Sequence, residues 1–245
     1  MKFPDPLLHG RLIKRYKRFL ADVELDSGET VTAHCANSGS MLSVNEPGSE
    51  VWLSPARNPN RKLRYTWELI QIGEALVGIN TGHPNALVAE AVADGIIDEL
   101  TGYTQIRREV KYGRNSRIDL LLEGEGRRPC YVEVKNVTMR RDLSAGTAVE
   151  FPDSVTARGA KHLDELSEMV REGCRAVMFY FVQRTDGMGF ALASDIDPVY
   201  AERFTAARKA EVEAICYGAR ISPEEILVDR PIPLEKTPRI VNKNP

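Results

Sequence analysis

Two apolar runs, Ile118 to Leu122 and Cys130 to Val134, flank a short stretch rich in Gly, Glu, Arg and Pro. That pattern is a strand, a loop and a returning strand. Asp119 lies early in the first run, and Glu133 and Lys135 lie late in the second. Strand side chains alternate between faces, so Glu133 and Lys135 share one face and Val134 takes the other. In an antiparallel pair the start of one strand lies beside the end of its partner, which brings Asp119 to Glu133. Two carboxylates and an ammonium therefore converge on one patch as a D…E-x-K constellation.

These residue types suit phosphodiester chemistry. Mg²⁺ (or Mn²⁺) takes oxygen ligands, typically one or two carboxylates, and keeps several waters. Such an ion polarises a phosphoryl oxygen and acidifies its bound water. A neighbouring lysine orients that water and offsets developing charge. Asp119, Glu133 and Lys135 are thus the candidate catalytic residues, with Asp119 and Glu133 as metal ligands and the Val134 carbonyl as a further one. On the pattern alone, an edge-strand salt bridge between Glu133 and Lys135 explains the same residues.

The remaining sequence narrows the setting. A length of 245 residues, 42% hydrophobic and 28% charged, fits one large or two small globular domains. The net charge of -2 does not advertise nucleic-acid binding, so local charge must carry it. Cys35, Cys130, Cys174 and Cys216 are isolated, and no signal peptide or membrane span is read; this fits a reducing cytoplasm. The scattered histidines give zinc little support.

Residues 1–80 carry short β-like runs broken by turns. Phe19 to Leu25 alternates, Thr30 to Cys35 returns, and Tyr65 to Ile72 and Ala75 to Ile79 form a hairpin about Gly73-Glu74. A small OB-like β-barrel is expected, with Phe19, Trp52 and Trp67 in its core. Asn37-Ser38-Gly39-Ser40 is a turn or binding loop. Arg11, Lys14, Arg15, Lys17 and Arg18 form one basic cluster, and Arg57, Arg61, Lys62 and Arg64 a second. Both are candidate nucleic-acid contacts, because basic groups attract phosphates and interleaved aromatics stack bases.

Residues 81–228 read as a mixed-sheet α/β domain. Pro84 opens a helix whose Leu87, Val88, Ala91 and Val92 are apolar, and Glu90 on it is a candidate further metal ligand. Gln105 to Tyr112 leads into the central hairpin, followed by Arg114 and Arg117. Asp153-Ser154 caps a helix over 155–172, on which Arg158 and Lys161 are candidate phosphate contacts; His162 reads as a structural hydrogen-bonding residue. Ala176 to Val182 is a buried strand with Gly189 to Ser194 as its expected neighbour. Asp197-Pro198 starts a helix expected to reach Tyr217. Ile226 to Val228 is a short strand, and 229–245 reads as a tail.

In this order the chain resembles the sugar fermentation stimulation protein family. The match rests on Arg18-Phe19-Leu20-Ala21-Asp22-Val23, His34-Cys35-Ala36-Asn37-Ser38-Gly39-Ser40-Met41, Asn80-Thr81 and Ser116-Arg117-Ile118-Asp119. It continues through Tyr131-Val132-Glu133-Val134-Lys135-Asn136-Val137, Phe151-Pro152-Asp153-Ser154-Val155-Thr156 and Arg158-Gly159 with Lys161-His162-Leu163. The resemblance implies an N-terminal OB-like domain, a C-terminal domain of the PD-(D/E)-x-K nuclease type, DNA binding and a regulatory link to sugar (maltose) metabolism. The nuclease motif falls on Asp119, Glu133 and Lys135, and its helical glutamate on Glu90. Ile118 stands where the motif's name writes proline.

Two functions follow as expectations. The first is a DNA-binding protein with a Mg²⁺-dependent nuclease site, RNA being the alternative polymer. The second is a non-catalytic, largely non-specific DNA-binding regulator. No helix-turn-helix signature supports operator reading.

Overall fold

A computed structural model describes residues 1–113 and 116–235; Arg114, Asn115 and positions 236–245 lie outside the described residues. The chain forms a closed barrel followed by a mixed α/β layer. The barrel strands are β1 (Leu8–Tyr16), β2 (Leu20–Leu25), β3 (Thr30–Cys35), β4 (Glu50–Pro55) and β5 (Tyr65–Ile72), and β6 (Ala75–Gly78) pairs with β5 as a hairpin. The order runs β3-β2-β1-β4-β5, and a parallel pairing of β3 with β5 closes the ring. Alternating positions such as Ala21, Val23 and Leu25 fill the interior with Trp67 and Leu53, as period-two strands in a small barrel must. β1 is absent from the sequence reading because its basic residues mask a strand that is only partly buried.

Two of the expected core aromatics sit elsewhere. Phe19 is 47% exposed and stacks on His34 with ring centroids 6.5 Å apart. It follows Lys17 and Arg18, whose left-handed φ angles of 48° and 62° make the tight β1–β2 turn. Trp52 is half-buried at the junction with the second domain, beside His9.

The second domain contains α1 (Pro84–Ala93), a 3₁₀ turn (Asp98–Leu100), β7 (Gln105–Tyr112), β8 (Ser116–Glu123), β9 (Cys130–Val137), β10 (Val149–Phe151), α2 (Ala157–Arg171), β11 (Arg175–Val182), β12 (Phe190–Leu192), α3 (Pro198–Lys209), β13 (Glu213–Ile221) and β14 (Ile226–Pro231). Its main sheet has the order β14-β13-β11-β9-β8-β7. β9, β11 and β13 are mutually parallel, and the flanking pairs are antiparallel. Fully buried Val177, Phe179 and Phe181 on one face of β11, and Met178, Tyr180 and Val182 on the other, mark it as the sheet's centre. One sheet face packs on α1 and on Leu69, Trp52 and Leu76 of the first domain. The other packs on α2 and α3. The two domains therefore share a hydrophobic core.

Four further expectations are corrected. The helix expected to reach Tyr217 stops at Lys209; Glu211 turns left-handed and 213–221 becomes a strand. Its apolar run is compatible with a helix in isolation, but pairing beside β11 buries it. Phe190–Leu192 pairs with β10 rather than β11. α2 begins at Ala157 with Thr156 as its cap, its Oγ1 accepting from the Gly159 N–H at 3.0 Å. The tail starts later than expected, because Asp229–Pro231 complete β14 and Leu234 bridges to Phe190.

Candidate active site

The main sheet splits where the D…E-x-K residues lie. The β8–β9 ladder pairs Leu122 with Cys130, Leu121 with Tyr131 and Leu120 with Val132. The same register puts Asp119 opposite Glu133. Beyond Leu120, however, β8 stays with β7 as far as Ser116, while β9 stays with β11 as far as Val137. In the resulting notch the Val134 N–H donates to Asp119 Oδ2 at 2.7 Å, a carboxylate replacing the lost strand partner. The other oxygen, Oδ1, accepts from Asn85 Nδ2 of α1 at 2.6 Å.

Glu133 faces α2. Its Oε1 accepts from Lys135 Nζ at 2.7 Å and from His162 Nδ1. Arg158 Nε lies 3.4 Å from His162 Nε2. His162 Nδ1 also lies 3.2 Å from Lys135 Nζ, so imidazole, ammonium and carboxylate form one cluster. Glu133 and Lys135 side chains are 3% and 13% exposed, so the pair is deep in the notch. Burial would raise the Glu133 pKa, but the His162 hydrogen bond and the Lys135 charge outweigh it and hold the carboxyl below its ordinary value. Asp119 goes the other way: burial and the Glu133 charge push it up to about 6, against the Val134 and Asn85 hydrogen bonds. Two crowded carboxylates are thus incompletely neutralised by the protein.

The donor set fits a hard divalent cation. Glu133 Oε2 is buried without a hydrogen-bond partner, and Asp119 lies across the notch. Two carboxylates with waters are an ordinary Mg²⁺ complement. No group of three or more His, Cys, Asp or Glu with metal-site geometry occurs among the described residues.

Glu90 is not part of this site. Its carboxylate binds the Met1 ammonium at 2.8 Å, and that ammonium also donates to the Ile226 carbonyl of β14. From α1 it is Asn85 that reaches the notch. Asn85 also approaches Glu109 Oε1 at 3.4 Å, and Glu109 holds a left-handed φ of 55°. Sequence reading missed Asn85 and Glu109, which carry no periodic signal. His162 had one: a histidine on the same helical face as Leu163 and Leu166.

The expected nucleic-acid contacts divide. Arg11 pairs with Glu50 at 3.2 Å, Lys14 with Asp22 at 3.6 Å, and Arg57 with Asp5 at 2.8 Å. Arg61 donates to the Thr66 hydroxyl. Arg15 spends its guanidinium on the carbonyls of Arg18, Asn37, Gly39 and Ser40. Lys17, Arg18, Lys62 and Arg64 are exposed. Arg158 lies at the notch, whereas Lys161 turns away to Ser116 and Glu165.

The Asn37–Ser40 loop faces the notch from the barrel. Ser40 Oγ donates to the Asp153 carbonyl at 2.7 Å, and the Met41 N–H donates to Asp153 Oδ2 at 3.0 Å. Between this loop and β9 lies a cavity of about 370 Å³, with Lys135 in its wall.

Comparisons with known proteins agree with the two-domain fold. The family model described as the SfsA N-terminal OB domain matches residues 13–79. The model for the sugar fermentation stimulation protein RE domain matches residues 82–225. The chain is 59% identical to a sugar fermentation stimulation protein homolog of Paramagnetospirillum magneticum, over 98% of this chain and 100% of the relative. It is 58% identical to that of Rhodospirillum rubrum, over 96% of this chain and 99% of the relative. A solved structure, Pyrococcus furiosus SfsA in complex with Ca²⁺, superposes with a TM-score of 0.84 at 25% identity, covering 96% of this chain and 98% of that one.

Proposed function

The chain belongs to the sugar fermentation stimulation protein family, and from that premise we propose that it binds nucleic acid, with DNA the expected polymer, and hydrolyses phosphodiesters with a divalent cation at Asp119 and Glu133. The observation that carries the proposal is the sheet notch, in which Glu133 Oε2 is buried without a partner opposite Asp119. The Ca²⁺ complex of the Pyrococcus furiosus relative supports a divalent cation in this fold; Mg²⁺ or Mn²⁺ is the proposed working ion. A bound ion would supply charge for the phosphoryl oxygens and acidity for a water.

The chain's own residues do the rest. His162, set by Arg158, fixes the rotamer of Glu133. Lys135 Nζ, 2.7 Å from Glu133, orients the attacking water and balances phosphate charge. The water oxygen adds to phosphorus and gives up a proton to solvent, the bond to the leaving sugar oxygen breaks, and that oxygen takes up a proton from solvent. Asn85 and the Val134 N–H hold Asp119 against the repulsion of Glu133.

A second reading, a non-catalytic nucleic-acid-binding regulator, draws on the engagement of Glu133 by two cationic or proton-donating neighbours. Labelled single- and double-stranded DNA and RNA incubated with Mg²⁺, Mn²⁺ or EDTA separate the two. Metal-dependent cleavage by wild type that is lost in Glu133→Gln is the expected result. Binding without cleavage in any metal selects the regulator.

A further inference from the structure

The cavity between the barrel loop and β9 has a lining unlike that of a phosphate channel. Ser38, Thr81, Asn136 and Thr138 offer uncharged hydrogen-bonding groups, and the Phe151 ring adds an apolar wall. The two carboxylates in the lining, Glu150 and Asp153, are already engaged, by Arg141 and by Ser40 and Met41. Lys135 is shared with the notch. The loop wall is rigidly held. Arg15 of β1 ties its carbonyls, Asn37 Nδ2 donates to the Ile79 carbonyl, and the Gly39 N–H donates to Asn37 Oδ1. Asp153 ties the loop to the second domain through Ser40 and Met41.

Size and access define the occupant. A volume of about 370 Å³ sits at the lower end of the range of about 300–1,000 Å³ for small-ligand clefts. It suits one nucleoside and excludes a duplex. The carboxylate and ammonium beside it are 3% and 13% exposed. A phosphate fixed on the outside of a base-paired cylinder cannot descend to them, whereas the phosphate of an unstacked nucleotide can. Uncharged polar groups with one ring are the chemistry that reads a base edge and a sugar.

We infer that this cleft receives one unpaired nucleotide next to the phosphate bound at Asp119, Glu133 and Lys135, so that the substrate is single-stranded nucleic acid or an unpaired nucleotide within a duplex. The position of the scissile phosphate rests on the phosphodiesterase reading. Occupation of the cleft does not, and it is measured without metal.

The test uses a fluorescein-labelled single-stranded hexadeoxynucleotide and a blunt duplex, with binding read by anisotropy in EDTA. Ser38→Trp, an exposed rim residue, fills the cleft. Thr138→Val deletes a hydroxyl at constant volume and serves if the tryptophan variant fails to fold. Single-strand binding is expected to weaken about tenfold in Ser38→Trp, within what one stacked base contributes, and severalfold in Thr138→Val, with duplex binding unchanged. Unchanged single-strand binding in a folded variant, or equal loss for both ligands, overturns the cleft. With Mn²⁺, the single strand and a bulged duplex should be cut and the blunt duplex spared; equal rates overturn the stated substrate class. Absence of any cleavage alongside the expected binding pattern defeats the phosphodiesterase reading and leaves the cleft standing.

Discussion

Arg15 shows how a basic residue can shape a loop without its charge being free to meet a phosphate. Its charge suggested a phosphate contact, but its donors satisfy four loop carbonyls. A phosphate contact tolerates lysine, whereas a planar fork across several acceptors does not. Arg15→Lys should therefore lose single-strand binding as fully as Arg15→Ala, with each losing about 1–2 kcal/mol of stability in urea. Rescue by lysine would return Arg15 to the phosphate-contacting set. The D…E-x-K residues were legible because strand alternation has a period of two, which short segments display. Glu90 misled because a helical position is a phase. Asn85 and Glu90 are five residues apart, roughly 140° around the axis, so α1 presents the amide to Asp119 and the carboxylate to Met1.

The elements that aim these residues depend on caps more than on propensity. α2 delivers Arg158 and His162, and its first turn is fixed twice. Thr156 Oγ1 caps it, and the Thr156 N–H donates to Asp197 Oδ2 at 2.7 Å. The other oxygen of Asp197 caps α3 through the Tyr200 N–H at 2.9 Å. Thr156→Ala should cost about 1 kcal/mol. Asp197→Ala removes both anchors from a buried carboxylate and should cost about 2–3 kcal/mol; urea midpoints in the reverse order would contradict this linkage. The Asp197-Pro198 start of α3 was readable, yet its end was not. Ala214, Ile215, Cys216 and Tyr217 continue an apolar pattern, and only the vacant edge of β11 makes them a strand. β9 and β11 were readable because buried parallel strands are continuous apolar runs.

Seen whole, the two domains are joined by a polar hub as well as a shared core. Glu68 of β5 accepts from Ser54 at 2.7 Å, from Asn80 at 2.8 Å and from His83 at 2.8 Å, linking the barrel to the entry of α1. Burial alone would raise its pKa, but His83, Ser54 and Asn80 together hold it below the ordinary 4.5. A depressed folded pKa stabilises the fold above the unfolded value, and that stabilisation is lost as pH falls through the folded one. The melting temperature of wild type should therefore drop more steeply below about pH 4 than that of Glu68→Gln, which starts lower at neutral pH. Parallel pH profiles would show that Glu68 carries no such linkage. Sequence composition could not reveal this hub, because Ser54, Glu68, Asn80 and His83 are brought together only by the β4–β5 and β5–β6 pairings and the turn into α1.

The joined architecture sets a buried and a half-buried carboxylate in a sheet notch, and the claim that they hold a divalent cation is tested most directly by Mn²⁺ titration. Calorimetry on wild type, Asp119→Asn, Glu133→Gln and Glu90→Gln reads the site independently of any substrate. The expected result is saturable Mn²⁺ binding to wild type and Glu90→Gln that disappears in Asp119→Asn and Glu133→Gln. Binding that is the same in all four proteins, or that is lost only in Glu90→Gln, would contradict the assignment of the notch.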